Sequence, residues 1–326
     1  MENYLVSGAA GFIASRVIDT LLAAGHTVVG IDNMNDAYDV RMKEYRLRKL
    51  LLHPNFIFHR SDISERSLFA DPSALRQHKY AAVIHLAARA GVRQSIENPW
   101  VYVDTNITGT LNLLEFCREQ GVPKFILAST SSVYGSDAPL PTPETYSSNL
   151  PLQVYAATKK SAEVLCHVYH FLYSLDVTVF RYFTVYGPAP RPDMVMFRFT
   201  QWISEGRTVK VYGDGEQSRG FTYLDDIARG TILGLKPLGY EIINLGGHEV
   251  IKINELILLL ESMTKQKAKI EYFPAHPADM NTNWADVEKA KKILNWVPNM
   301  GLKEGVANLV DWYNQERSWA SDILTP

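Results

Sequence analysis

Short apolar runs alternate with longer amphipathic stretches through the first half of the chain. The runs at residues 4–6, 27–31, 55–59, 81–86, 124–129 and 177–181 each predict a strand. The stretches between them have helical length and spacing. The first, over 12–24, is predicted to stop at Gly25. Strands alternating with helices imply βαβ units and a doubly wound parallel sheet covered on both faces, an α/β fold. Near residue 184 the pattern changes. Pro188, Pro190 and Pro192 punctuate a loop, and short helices then mix with strand-like pieces at 208–212 and 269–273. The expected organisation is a first domain over 1–183 and a smaller mixed α/β domain over 184–326. A strand near 241–245 is expected to be able to rejoin the first sheet.

Composition narrows the class. The chain has 326 residues, enough for a large core, with 46% hydrophobic and 21% charged residues. Its 33 Lys and Arg nearly cancel 35 Asp and Glu, leaving −2. That balance offers no electrostatic footprint for nucleic acid or an anionic membrane. No apolar run approaches the ~18 residues of a membrane span. No basic stretch precedes an apolar run at the N-terminus, so a cleaved signal peptide is not expected. Cys117 and Cys166 are too few for a disulfide framework and suit a reducing cytoplasm. The nine histidines are scattered and predict no metal site. Trp284, Trp296, Trp312 and Trp319 read as packing residues.

The first strand runs into Gly8-Ala9-Ala10-Gly11-Phe12-Ile13-Ala14. Such a turn brings backbone N–H groups and a helix N-terminus close to a pyrophosphate. Asp32 ends the second strand about 20 residues further on, where a carboxylate accepts from both ribose hydroxyls of NAD. It would repel a 2′-phosphate, and Asn33 and Met34 follow it rather than Arg, so the expected cofactor is NAD, not NADP. Asp62-Ile63 follows the third strand. There Asp62 either meets the adenine amine, with Ile63 against the ring, or caps the turn from Ser64. His85-Leu86-Ala87-Ala88 ends the fourth strand with small residues that let a cofactor pass the backbone, and His85 itself reads as structural.

Tyr155 and Lys159 lie four apart on a predicted helix and so share a face. An ammonium near a phenol favours phenolate, which makes Tyr155 a usable general base near neutrality. Lys159 is also able to hold a nicotinamide ribose. Upstream, Ser129-Thr130-Ser131-Ser132 ends the fifth strand, and ligands of such sheets bind at the C-terminal strand ends. The Thr130 hydroxyl is placed to share the substrate proton with Tyr155.

These features, in this order and spacing, resemble the extended short-chain dehydrogenase/reductases and their NAD-dependent epimerases and dehydratases, which implies a Rossmann-type fold. The likeness covers nearly the whole chain. Within that family the stretches HLAARAGVRQSIENP (85–99), YAATKK (155–160), RYFTVYGPAPRPDM (181–194) and FTYLDDI (221–227) resemble the UDP-glucuronate 4-epimerases. Two positions depart from the family pattern: Ala14 replaces the third glycine of the turn, and Gly220 stands where relatives often carry Asp.

The resemblance implies hydride transfer from sugar C4 to NAD while Tyr155 takes the C4 hydroxyl proton. Family dehydratases carry Asp-Glu after the Thr, and decarboxylases carry Glu before Val-Tyr-Gly. Here those places are Ser131 and Ser132, which argues for simple 4-epimerisation. Oxidising a uronic acid at C4 makes a β-keto acid prone to lose CO2, so its carboxylate must be held out of alignment with the carbonyl. Ser131, Ser132 and Thr184 are the hydroxyls expected to do this, although Thr184 also fits a plain turn. Arg191 either neutralises the carboxylate or grips a phosphate. Arg219 resembles the family's diphosphate-binding arginine, with Arg93 a weaker phosphate candidate. Val211, within 209–212, resembles the uracil-side segment, and Asp279 the late contact to the nucleotide ribose.

The favoured substrate is UDP-glucuronate, converted to UDP-galacturonate. Rivals are neutral UDP-hexoses, oxidative decarboxylation to a pentose nucleotide, and an NAD-sensing regulator, which would commonly lack the Tyr/Lys pair. The resemblance also implies a homodimer built from the helical segments 101–120 and 155–173 of each subunit.

Overall fold

The computed structural model describes residues 1–70, 73–247, 249–275 and 282–326. Six strands follow the six apolar runs: β1 (Asn3–Ser7), β2 (Thr27–Asp32), β3 (Phe56–Arg60), β4 (Ala82–His85), β5 (Lys124–Thr130) and β6 (Asp176–Tyr182). Every residue of β4 and β5 is buried, which is why these strands read as continuous rather than alternating apolar runs. Beyond them lie β7 (Thr184–Tyr186), β8 (Thr208–Tyr212), β9 (Ser218–Tyr223), β10 (Tyr240–Leu245), β11 (Glu249–Lys252), β12 (Lys269–Phe273) and β13 (Thr282–Asn283).

The main sheet is parallel throughout, in the order β10-β6-β5-β4-β1-β2-β3. β10 is the strand expected to return. The chain winds outward from β1 in one direction and from β4 in the other. The C-terminal ends of β1 and β4 therefore flank the switch point, where such sheets bind ligands. Ser7 sits beside Ile31 on one side and His85 on the other.

Two apolar layers cover this sheet. Phe12–Ala23, Leu224–Leu233 and Glu288–Leu294 pack one face, closed by the fully buried Trp296. Gly109–Gln120 and Val154–Tyr173 pack the other, burying Cys117 and Cys166 as free thiols. A separate core gathers Val195–Ser204, Ile253–Thr264 and Leu302–Ala320 around β8 and β9. Met42 and Tyr45 of Arg41–Leu50 reach into it, and Trp312 donates to the Tyr45 hydroxyl at 3.0 Å. Trp319 packs on the same Tyr45 ring, 5.1 Å between centroids. β9 pairs with β7, β11 and β13, while β8 pairs with β12. No described helix is long and apolar enough to cross a membrane.

The two departures from the family pattern fit this packing. Ala14 is buried in the first core without disturbing the helix that begins at Phe12. At Gly220 a side chain has no room, since a Cβ there would lie 2.4 Å from the Gly247 carbonyl oxygen.

The segment 101–120 is not one uniform helix. Trp100–Tyr102 and Gly109–Gln120 are α-helical, but Val103–Thr108 between them is a π-helix, a form that concentrates at functional sites. Asn106 of that wider turn faces inward. Its Oδ1 accepts from Arg89 N at 2.8 Å and its Nδ2 donates to Arg89 O at 3.0 Å, clamping the loop after β4.

Candidate active site

A cleft of about 1010 Å³ opens along the C-terminal edge of the main sheet. Gly8, Gly11, Phe12, Ile13, Asp32 and Asn33 line one end, with Asp62, Ile63, Leu86, Ala87 and Ala88 beside them. Gly8 is required here on two counts. Its φ is +75°, and a Cβ would sit 2.7 Å from the Ala87 backbone. The turns after β1 and β4 thus touch backbone to backbone, leaving the Gly11–Phe12 helix start facing the cleft.

Asp32 is buried at the end of β2. Its Oδ2 accepts from Ala10 N at 3.1 Å and its Oδ1 from Met34 N at 2.8 Å. Asp62 caps the turn at Ser64, one of the two roles left open by the sequence. Its Oδ1 accepts from Ser64 N at 2.8 Å, and Asn33 Nδ2 donates to its Oδ2 at 2.7 Å at the cleft wall. Burial works to raise the Asp62 pKa, but the donors from Ser64 and Asn33 outweigh it and hold the carboxyl below its usual range. His85 is structural: Nδ1 meets Ser7 Oγ at 2.7 Å and Nε2 meets Thr110 Oγ1 at 3.0 Å. Burial, with the Lys159 charge added, drives its pKa well down, so the ring is neutral.

Thr130, Ser131, Ser132, Tyr155, Lys159, Thr184, Arg191 and Arg219 all border the middle and far end of the same cleft. Tyr155 and Lys159 lie in the first two turns of Val154–Tyr173. The Tyr155 hydroxyl shares a hydrogen bond with the Thr130 side chain. Burial raises the Tyr155 pKa above its ordinary 10, opposed by that hydrogen bond and by the Arg191 charge. The expected lowering by Lys159 is therefore corrected: desolvation dominates the phenol, and the cation that counters it is Arg191. Lys159 itself is only 1% exposed, and burial lowers its pKa to about 8 against the pull of Cys166 and Glu163. Its Nζ meets no hydrogen-bond acceptor among the described residues. A buried ammonium without a partner is costly unless a ligand supplies acceptors, and vicinal hydroxyls in the cleft are such acceptors.

Behind these groups the end of β5 is locked in place. Ser129 donates to Glu163 Oε1 at 2.6 Å, and Arg181 holds both Glu163 oxygens at 2.9 and 2.7 Å. Arg46, also buried, joins the two walls of the cleft. It donates to Ala10 O of the glycine turn and to Ala189 O and Pro190 O, each at 2.9 Å. Arg191, next along, forms a two-point ion pair with Asp193. At Ser131, Asn283 of β13 donates from Nδ2 to Oγ at 3.1 Å.

Two expected substrate contacts, Val211 and Arg93, are not among the residues lining this cleft, and a third lies outside the described residues. Val211 is buried in the second core. Arg93 stands over the Tyr212 ring, 4.7 Å from its centroid. Asp279 lies outside the described residues. Conversely, Lys43, Arg46, Asn106, Asp193 and Asn283 shape the site and escaped sequence reasoning. The helix Arg41–Leu50 carries five basic residues and reads as a solvated face, yet Lys43 and Arg46 are buried.

Comparison with known proteins agrees with this geometry. The NAD dependent epimerase/dehydratase family matches residues 4–246. A UDP-glucuronate 4-epimerase of Thermodesulfobacterium geofontis is 56% identical over 313 residues, 96% of each chain. The crystal structure of a Bacillus cereus UDP-glucuronic acid 4-epimerase, in complex with UDP-glucuronic acid and NAD, superposes with a TM-score of 0.89. It is 38% identical, covering 96% of this chain and 99% of that one. A Thermotoga maritima UDP-glucose 4-epimerase with UDP-glucose also reaches 0.89, at 33% identity over 97% and 99% of the two chains. Since the family match spans well over half of its length, the chain belongs to the NAD dependent epimerase/dehydratase family.

Proposed function

We propose that the protein interconverts UDP-glucuronate and UDP-galacturonate by NAD-dependent epimerisation at C4, through a 4-keto sugar and without decarboxylation. One observation carries this reading: Thr130, Ser131 and Ser132 present three consecutive hydroxyls to the cleft beside Tyr155, with no carboxylate among them. A dehydratase needs an acid there to expel a hydroxyl. A uronate carboxylate instead needs neutral donors that add no repulsion.

The proposed division of labour follows the cleft. Gly8, Gly11, Phe12 and Ile13 receive the cofactor pyrophosphate at the helix start. Asp32 and Asn33 take the adenosine ribose, Asp62 and Ile63 the adenine, and Leu86, Ala87 and Ala88 form the wall along which the dinucleotide passes. Lys159, buried and short of acceptors, holds the nicotinamide ribose. When bound, NAD supplies a reversible hydride acceptor at sugar C4. Tyr155 removes the C4 hydroxyl proton, with Thr130 sharing it, and returns a proton after the keto sugar has turned its other face. Bonds and electrons balance over the cycle, because the C4–H and O–H bonds broken on one face are remade on the other.

Ser131, Ser132 and Thr184 hold the carboxylate so that the C5–C6 bond stays near the plane of the C4 carbonyl. In that plane it overlaps poorly with the π system, and CO2 is retained. Arg219 grips the diphosphate. Arg191 sits close enough to Tyr155 to act on its charge, which favours a role at the sugar end. Val211 and Arg93 act, on this reading, only through the segment they support, and Asp279 meets the nucleotide ribose.

The protein is further proposed to act as a homodimer in the cytoplasm. Val164, Val168, Phe171 and Leu172 leave an exposed apolar stripe on Val154–Tyr173, with Phe171 77% exposed, and Leu111 adds to it from Gly109–Gln120. A second copy of the same helices is the partner that would cover it. Two buried free thiols suit a reducing compartment.

Incubation with UDP-glucuronate and NAD+, followed by proton NMR, tests the activity. A stable mixture with UDP-galacturonate is expected. A pentose nucleotide as the main product would refute carboxylate protection, and turnover only of neutral UDP-hexoses would refute the substrate.

A further inference from the structure

The ribose end of the cleft carries a charge that the established features do not use. Lys43, from Arg41–Leu50, is 5% exposed and lines the cleft next to Asp32. Its Nζ lies 3.6 Å from Asp32 Oδ1, beyond a good hydrogen bond. It donates to Asn35 Oδ1 at 3.0 Å and stands 5.4 Å from the centroid of the Tyr38 ring. An ammonium has three donors. Among the described residues only Asn35 takes one, so capacity remains toward the cleft. Asp32, by contrast, is anchored on both oxygens by the backbone N–H groups of Ala10 and Met34. Its position therefore does not depend on Lys43.

We propose that Lys43 is a specificity-determining residue for the adenosine ribose of the cofactor, and that it forms a latent 2′-phosphate site masked by Asp32. A carboxylate alone at this place repels a 2′-phosphate. A carboxylate with a buried ammonium at 3.6 Å is a nearly neutral pair, so discrimination against the phosphorylated dinucleotide rests on Asp32 alone and is softened by Lys43. Removing the carboxylate leaves the cation with unused donors where the phosphate arrives. Arg60, beside Asp32 across the β2–β3 register, is exposed and belongs to the strand end rather than the cleft lining. Lys43 is thus the cation that the cleft lining presents beside Asp32.

The inference rests on the proposed placement of the adenosine half of NAD at this end. Its test is equilibrium binding of NAD+ and NADP+ by calorimetry to nucleotide-stripped wild type, Asp32→Ser, Lys43→Met, and the doubles Asp32→Ser/Lys43→Met and Asp32→Ser/Lys43→Arg. Wild type should prefer NAD+. Asp32→Ser should bind NADP+ at least about tenfold more tightly than wild type does. That gain should vanish with Lys43→Met, persist with Lys43→Arg, and Lys43→Met alone should widen the preference for NAD+. The charge-retaining double separates loss of the cation from loss of packing, and thermal melting of each variant reports its folding. Equal NADP+ affinity in Asp32→Ser and Asp32→Ser/Lys43→Met overturns the inference while leaving the cofactor site standing. Wild type that binds neither dinucleotide overturns both.

Discussion

Asn283 donates a hydrogen bond from Nδ2 to Ser131 Oγ across 3.1 Å, tying β13 to the residue that follows β5. The bond occupies a lone pair of Oγ. It leaves the Ser131 proton available to an acceptor in the cleft, which is the polarity a substrate carboxylate needs. Replacing Asn283 by Leu should release that orientation. The expected result is a roughly tenfold rise in KM for UDP-glucuronate, the size of one or two net hydrogen bonds. A detectable leak of CO2 and pentose nucleotide should accompany it. Steady-state kinetics with CO2 trapping checks both, and binding of neutral UDP-glucose should be unaffected.

Arg191 is the cation that acts on the Tyr155 phenol. Burial raises the Tyr155 pKa and Arg191 pulls it down. Removing the guanidinium must therefore raise that pKa further. A base with a raised pKa is deprotonated only at higher pH, so the acidic limb of the kcat/KM profile of Arg191→Met should move to higher pH. Tyr155→Phe should instead lower kcat by about 10² to 10⁴ at every pH, the usual worth of a positioned acid–base group, with dinucleotide affinity kept. A pH–rate profile and calorimetry separate the two.

Burial holds Lys159 at a stability cost. Its pKa of about 8 lies below the ordinary lysine value, so the unfolded chain binds its proton more tightly than the folded one. Stability from this group is present above about pH 10 and is lost as pH falls toward 8, below which the penalty is constant. Lys159→Met should thus be more stable than wild type at pH 7, by roughly 3 kcal/mol. The difference should shrink as pH rises from 8 to 10. Urea unfolding of both nucleotide-free proteins across that range is the check, and the variant should have lost turnover.

How much was legible in the sequence follows from which interactions are local. β1, β2 and β4 to β6 announced themselves because a strand buried on both faces must be apolar along its length. That reason does not extend to β10, an edge strand whose first three residues are only partly buried. Gly8 and Asp32 were readable because a tight turn followed by a carboxylate at a set distance is a local constraint. The π-helical turn at Val103–Thr108 was not, since it is stabilised by Asn106 meeting the Arg89 backbone in a distant loop. Lys43 and Arg46 look like surface charges until the walls they join are assembled. Asn283 is 152 residues from Ser131, and nothing in either neighbourhood signals the other. The direction of the Tyr155 shift was likewise hidden, because it depends on how deeply the phenol is desolvated rather than on the four-residue spacing to Lys159.

In the proposed reaction hydrogen leaves C4 and returns to the same carbon on its other face while the carboxylate stays attached. UDP-glucuronate deuterated at C4 tests it most directly, with the product nucleotide sugar read by mass spectrometry and NMR and evolved CO2 trapped. The expected product is UDP-galacturonate that retains its deuterium at C4, with no CO2 and no net reduced cofactor. Loss of the label to solvent, or a pentose nucleotide released with CO2, would contradict it.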